Sequence, residues 1–223
     1  MDKKLAFQAL AKYISGILLM GLLIFLPAGT LAFMNGWVLM GALFLPMFIA
    51  GVVMAIKNPE LLRKRLSSKE KKKDQQTVVK LSGLMFIAGF ILAGLGYRYG
   101  WYQLPSWVVA VASVILLLSY AMYMEVMREN AYLSRTVEVQ EGQKVVDTGL
   151  YAIVRHPMYT ATILLFISMP LILGSIYSFI VFLAYPFIIA KRIKGEEMLL
   201  ESELNGYAEY KKKVRYRLIP LIW

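Results

Sequence analysis

Four stretches of about twenty apolar residues, at 13–34, 37–56, 78–97 and 105–124, follow one another with polar breaks between them. Each is long enough, at about 1.5 Å per residue, for a helix to cross roughly 30 Å of hydrocarbon. Two further apolar stretches, 158–174 and 176–190, are shorter and meet at Gly174-Ser175, as the arms of a membrane hairpin would. Lipid offers no partner to an open backbone, so all six are expected as helices. The fold class is therefore all-α, a polytopic helical membrane bundle of five to six transmembrane helices. Residues 1–125 supply about four of them, and 126–223 hold the hairpin together with most of the polar chemistry.

Charge orients this pattern. The net charge is +11, and the bases follow the breaks: nine Lys or Arg lie from Lys57 to Lys80 and eight from Lys191 onward, while the turns at Asn35-Gly36 and Gly174-Ser175 carry none. Cytoplasmic loops collect Lys and Arg, so both termini and the 57–80 and 125–157 segments are expected in the cytoplasm. An even number of crossings follows, met by six helices or by four and a re-entrant hairpin. Lys69-Glu70-Lys71-Lys72-Lys73-Asp74 reads as a solvated loop drawn to anionic headgroups and not as a nucleic-acid patch. Lys3, Lys4 and Lys12 precede a long apolar run with no small-residue cleavage site, which predicts a retained first helix.

Composition removes several mechanisms. With no cysteine there is no disulfide, thiolate ligand or cysteine nucleophile, and a single histidine leaves a transition metal short of ligands, so no metal is expected. The first four segments hold only isolated serines and threonines at mid-depth, without the carboxylates of an ion pathway. Gly83, Gly89, Ala93, Gly94 and Gly96 let neighbouring helices approach closely.

Candidate chemistry gathers around the last hairpin. Before it, Gly149, Tyr151, Arg155, His156, Pro157 and Tyr159 form a polar junction. Pro157 suits the first turn of a helix, so His156 falls at a helix N-terminus, where free amides attract anions. After the hairpin, Arg192 and Glu196 share one helix face, with Glu197 beside them. Tyr207, Tyr210 and Arg217 follow. Residues 137–146 alternate apolar and polar around Glu141-Gly142, as a short β-hairpin or an extended loop would. A hairpin brings its two ends together, so these clusters are expected to meet. Snorkelling arginines, a surface ion pair and interfacial tyrosines would explain each piece separately.

The combination resembles the isoprenylcysteine carboxyl methyltransferase family, within a broader group that includes phospholipid N-methyltransferases. It is carried by Asn130 to Gln140, by Gly149-Leu-Tyr151-x-x-x-Arg155-His156-Pro157-x-Tyr159, by Arg192-x-x-x-Glu196-Glu197, by Gly206-Tyr207-x-x-Tyr210 and by a Val-x-Tyr-Arg-x-Ile-Pro ending, over about residues 125–223. The resemblance implies S-adenosylmethionine in a cytoplasm-facing pocket and a lipophilic acceptor, such as a prenylated molecule, arriving from the membrane lipids. Cofactor binding would fall to Gln140, Gly149, Tyr151, Arg155, His156, Pro157, Tyr159, Glu196, Tyr207 and Tyr210. Arg192 or Arg217 would orient an acceptor carboxylate with Glu197 holding the arginine; for an amine acceptor, Glu196 or Glu197 would be the base. Several relatives carry a histidine where Gln143 stands.

Two other readings compete. Membrane sterol reductases share the Arg-His-x-x-Tyr element and a Val-x-Tyr-Arg-x-x-Pro ending and use NADPH, but differ at the segment after the hairpin, where this chain has Glu196-Glu197. A non-enzymatic membrane scaffold would need none of the junction's polar groups.

Overall fold

The computed structural model of the chain describes residues 3–66, 73–134 and 137–223. Most of the basic run at 69–74, and Arg135-Thr136 within the resembling stretch, lie outside these residues. Nine α-helices are described: α1 (Lys3–Ala28), α2 (Met34–Lys57), α3 (Pro59–Leu66), α4 (Lys73–Arg98), α5 (Ser106–Glu129), α6 (Pro157–Ile172), α7 (Ile176–Phe182), α8 (Ala184–Glu203) and α9 (Tyr207–Lys213). A single 3₁₀ turn spans Gly149–Ala152. Among the described residues there is no strand, only an isolated antiparallel bridge between Gln103 and Ser175. Residues 137–146 form an extended loop that turns at Glu141-Gly142, with Gly142 in the left-handed region at φ 69°.

Five helical stretches are long and apolar enough to cross a membrane: α1, α2, 75–98 of α4, α5, and α7 with α8 as one 28-residue run. The first begins about ten residues before the apolar stretch that announced it, because Lys3 to Lys12 is polar yet helix-favouring. It stops at Gly29, whose φ of 69° lets its N–H close back on Phe25 and Leu26. The last crossing runs well past residue 190, since nothing in Lys191–Glu203 breaks a helix. Its interruption at Leu183 has a local cause. Pro186 has no N–H for the carbonyl of Phe182, four residues back.

Close approach builds the bundle. A Cβ on Gly94 would stand 2.5 Å from the backbone oxygen of Ile24, and one on Gly89 would stand 2.3 Å from the Phe182 ring, so these two glycines fit α4 against α1 and α7. Gly83 faces open space and has no such role. In α2, Pro46 interrupts the hydrogen-bond ladder, and the hydroxyls of Tyr120 and Tyr13 donate to the carbonyls of Leu43 and Phe44 in the preceding turn.

The hairpin of α6 and α7 reaches the far end of the bundle although α6 has only 16 residues. Its tip, Gly174, abuts Asn35 and Gln103, and its carbonyl accepts the Leu104 N–H at 2.8 Å. The tip thus lies level with the α1–α2 and α4–α5 connections, and the hairpin runs the height of the bundle. α6 packs along α5 as its principal neighbour. The opposite end gathers α3, the start of α6, the second half of α8 and α9.

Candidate functional site

Local sequence explains how the junction is held. His156 caps α6 at φ −126° and ψ 60°, with Pro157 at the first helical position. Its own N–H and that of Arg155 do not enter the helix; they donate to the carbonyls of Arg217 and Tyr216, each at 2.9 Å. The segment after α9 therefore lies along the junction, and three side chains lock it there around one carboxylate. Glu197 accepts from Arg155 Nε at 2.7 Å and from Arg217 Nε at 2.9 Å on its two oxygens, with His156 Nε2 at 3.3 Å from the first. A carboxylate only accepts, so Nε2 carries the proton in that contact. Arg155 also donates to the carbonyls of Val214 and Arg215 at 2.7 and 2.8 Å. Arg217 stacks over the ring of Trp223.

The neighbouring carboxylate faces the other way. The Glu197 side chain is 4% exposed and that of Glu196 is 24%, because consecutive helical residues point about 100° apart. Glu196 accepts from the Tyr159 hydroxyl, which in turn accepts from Arg192 Nε at 2.8 Å. The His156 ring stacks near Tyr159 at 5.7 Å, with Nδ1 4.0 Å from Glu196. Arg192, Tyr159 and Glu196 thus form a chain of alternating cation, hydroxyl and carboxylate.

That chain opens onto a cavity. One wall is the junction and α8, with Tyr151, Arg155, His156, Met158, Tyr159, Arg192 and Glu196. Another is the loop after α5, with Asn130, Tyr132, Leu133, Gln143, Lys144, Val145 and Val146; Leu199, Leu200, Leu204, Tyr207 and Tyr210 complete it. The space between them, counting its open mouth, is about 840 Å³. Tyr207 brings an orphan to it. Its hydroxyl is buried with no hydrogen-bond partner, and burial, then the Glu197 and Glu196 charges, push its pKa well up, so it stays a donor at any ordinary pH. Tyr210 donates to the Tyr151 carbonyl at 2.7 Å, and the Tyr151 hydroxyl accepts from Asn130.

The thirteen residues singled out from sequence divide by position. Tyr151, Arg155, His156, Tyr159, Arg192, Glu196, Tyr207 and Tyr210 line the cavity. Glu197 and Arg217 form the clasp behind it. Pro157 is buried in the first turn of α6. Gly149 is needed for close approach: at φ 51°, a Cβ there would stand 1.4 Å from a Glu129 oxygen, and the same carboxylate accepts the Leu150 N–H. Gln140 braces the loop, accepting from Lys64 at 2.6 Å and donating to the Tyr132 carbonyl, while Gln143 accepts the Gln140 N–H and faces the cavity. Glu129, Asn130 and Tyr132 complete the site without having been singled out. Asn130 and Tyr132 lie in the stretch that carries the resemblance, and Glu129 closes an apolar helix just before it.

Titratable groups across the described residues form no cluster of His, Asp and Glu suited to a metal. No curated protein matches the chain. A family model does, over residues 108–202, from the start of α5 almost to the end of α8. That segment carries all of the clasp except Arg217, and the model it matches is that of the isoprenylcysteine carboxyl methyltransferase family.

Proposed function

We propose that this membrane methyltransferase uses S-adenosylmethionine to methylate a lipophilic acceptor, holding the cofactor in the cavity between α8, the junction and the loop after α5. The observation that carries the proposal is the Arg192–Tyr159–Glu196 chain facing a cavity that also receives the unpartnered Tyr207 hydroxyl. The residues suit the ligand group by group. Glu196 and the faces of Tyr159 and Tyr207 favour a sulfonium cation. His156 and the opening turn of α6 favour an anionic amino-acid end. Leu199, Leu200, Leu204, Val145 and Val146 offer apolar walls to an adenosine. A dinucleotide phosphate suits the cavity less well. Arg155 and Arg192 are already engaged by Glu197 and Tyr159, which leaves Lys144 as the other cation on its described walls.

When bound, the sulfonium supplies the methyl group. The protein's part is positioning and exclusion of water, which are what an in-line displacement needs. Arg192 holds positive charge on the wall where the acceptor would meet the methyl carbon. Glu197 and Arg217 act as positioning residues, since they fix the junction without facing the cavity. Gln140, Gly149 and Pro157 serve the cofactor indirectly, through the loop and turn they shape. An acceptor carboxylate needs no base; an amine acceptor would make Glu196 the base, being the carboxylate that faces the cavity.

The same reading sets the topology. The basic helix α3 and the basic residues of 191–217 flank the cavity end, which we assign to the cytoplasm together with both termini. Incubation of proteoliposomes with methyl-labelled S-adenosylmethionine should move label into the organic phase of a lipid extract, and Glu196→Gln should lower the rate at least tenfold. Absence of transfer to membrane lipids and to N-acetyl-S-farnesylcysteine alike would overturn the proposal.

A further inference from the structure

The stretch after α9 does more than carry Arg217. From Arg217 to Trp223 the backbone folds into one closed turn. The N–H groups of Arg217, Leu218 and Ile219 converge on the Trp223 carbonyl, at 2.9, 2.9 and 3.2 Å, and those of Ile222 and Trp223 return to the Ile219 carbonyl, each at 3.2 Å. Pro220 has no N–H to satisfy. Leu221 completes the turn at φ 67°, the one non-glycine residue among those described with a positive φ. A leucine takes that conformation only at a cost, so the turn holds a shape that its own sequence disfavours.

Its side chains divide between two directions. Leu218 is buried in the core of the membrane helices, Trp223 packs against that core, and the Arg217 guanidinium lies over the indole. Ile219, Leu221 and Ile222 point outward, with Leu221 85% and Ile222 76% exposed. An apolar tip on a backbone that pairs its own N–H groups is what a segment leaving water needs. The depth agrees. Thr160, in the first turn of α6, donates to the Leu218 carbonyl at 2.8 Å, so the base of the turn lies where the membrane-type sequence of α6 begins. Just before the turn, Lys212 and Arg215 are exposed.

We propose that Ile219, Leu221 and Ile222 seat in the boundary between headgroups and acyl chains at the cavity end of the bilayer, with Lys212 and Arg215 on anionic headgroups. The clasp is then moored to the membrane as well as to Glu197, because Arg217 supplies both an N–H of the turn and the guanidinium on that carboxylate. A second copy of the chain fits the tip less well. Three side chains fall far short of the roughly 800 Å² a side that stable protein contacts bury. The seating goes beyond the methyltransferase reading and follows from the turn, whatever the cavity binds.

The chain has no cysteine, so Leu221→Cys accepts a single environment-sensitive fluorophore at an exposed position. The full chain, one copy per bilayer nanodisc of phosphatidylcholine and phosphatidylglycerol, leaves both faces open to quenchers. Nitroxide lipids labelled near the headgroup should quench the probe at least twofold and aqueous iodide should barely do so, whereas a probe at Glu141→Cys, on the exposed tip of the cavity loop, should show the reverse. Lipid quenching at Leu221→Cys should be about 1.5-fold stronger than in discs of phosphatidylcholine alone, and Lys212→Gln with Arg215→Gln should remove that difference. Iodide quenching at Leu221→Cys equal to that at Glu141→Cys overturns the proposal, as does lipid quenching indifferent to headgroup charge. Shielding from iodide that arises only with two copies per disc overturns it too and gives the tip to a contact between chains.

Discussion

Glu197 Oε1 accepts from Arg155 Nε at 2.7 Å, and its second oxygen accepts from Arg217, so a single carboxylate on α8 joins the start of α6 to the segment after α9. The Arg155 and Glu197 side chains are each 4% exposed. Removing one partner of such a pair strands a charge in the interior, which costs about 3–5 kcal/mol. Glu197→Ala should therefore lower the unfolding temperature in detergent sharply. Arg217→Ala should lower it less, because the Arg217 side chain is 27% exposed and the Arg155 bond remains.

One position earlier the expectation reverses. Glu196 faces the cavity, so Glu196→Gln should change the unfolding temperature little, within about 1 kcal/mol as for most substitutions outside a core. It should weaken S-adenosylhomocysteine binding at least tenfold. Thermal unfolding and ligand titration of the two variants side by side check the division; equal destabilisation by both would contradict it.

Tyr207 carries a buried hydroxyl without a partner. An unsatisfied buried polar atom costs about 1–3 kcal/mol, so Tyr207→Phe should leave the free protein as stable as before or more so. If that hydroxyl meets the cofactor, the same change should weaken binding by about tenfold. Ligand-induced shifts in unfolding temperature report both quantities.

Gly149 tolerates no side chain, since its φ is positive and Glu129 occupies the place of a Cβ. Gly149→Ala should destabilise the protein by about 2 kcal/mol or more, as strain at a special backbone position does. Glu129→Ala in the same chain should recover part of that loss, because it vacates the space while leaving the strained φ. A double variant no better than the single would contradict the steric account.

Much of the fold around this cavity is legible in the sequence. Hydropathy announced the spans, and Pro157 announced the helix start that makes His156 a cap. What the linear order could not reveal was rotation. Glu196 and Glu197 are adjacent and chemically alike, and which faces inward depends on how α8 is turned by its packing, including Gln75 of α4 against Gly195, where a Cβ would stand 2.5 Å from the amide nitrogen. The place of α3 beside the cavity loop was hidden for a similar reason. In sequence its bases merge with a longer charged loop, and only the contacts of Lys64 with Gln140 and of Arg65 with Met158 separate them from it. The resemblance assigns Gly149 to cofactor binding, and what the linear order does not show is that Glu129 fills the place its Cβ would take.

The most direct test is equilibrium binding of S-adenosylmethionine, S-adenosylhomocysteine and NADPH to the detergent-purified protein, with His156→Ala beside it. The account predicts that both adenosyl ligands bind, that the His156→Ala protein remains folded but loses them, and that NADPH does not compete. Binding of NADPH without the adenosyl ligands, or adenosyl binding untouched by His156→Ala, would contradict it.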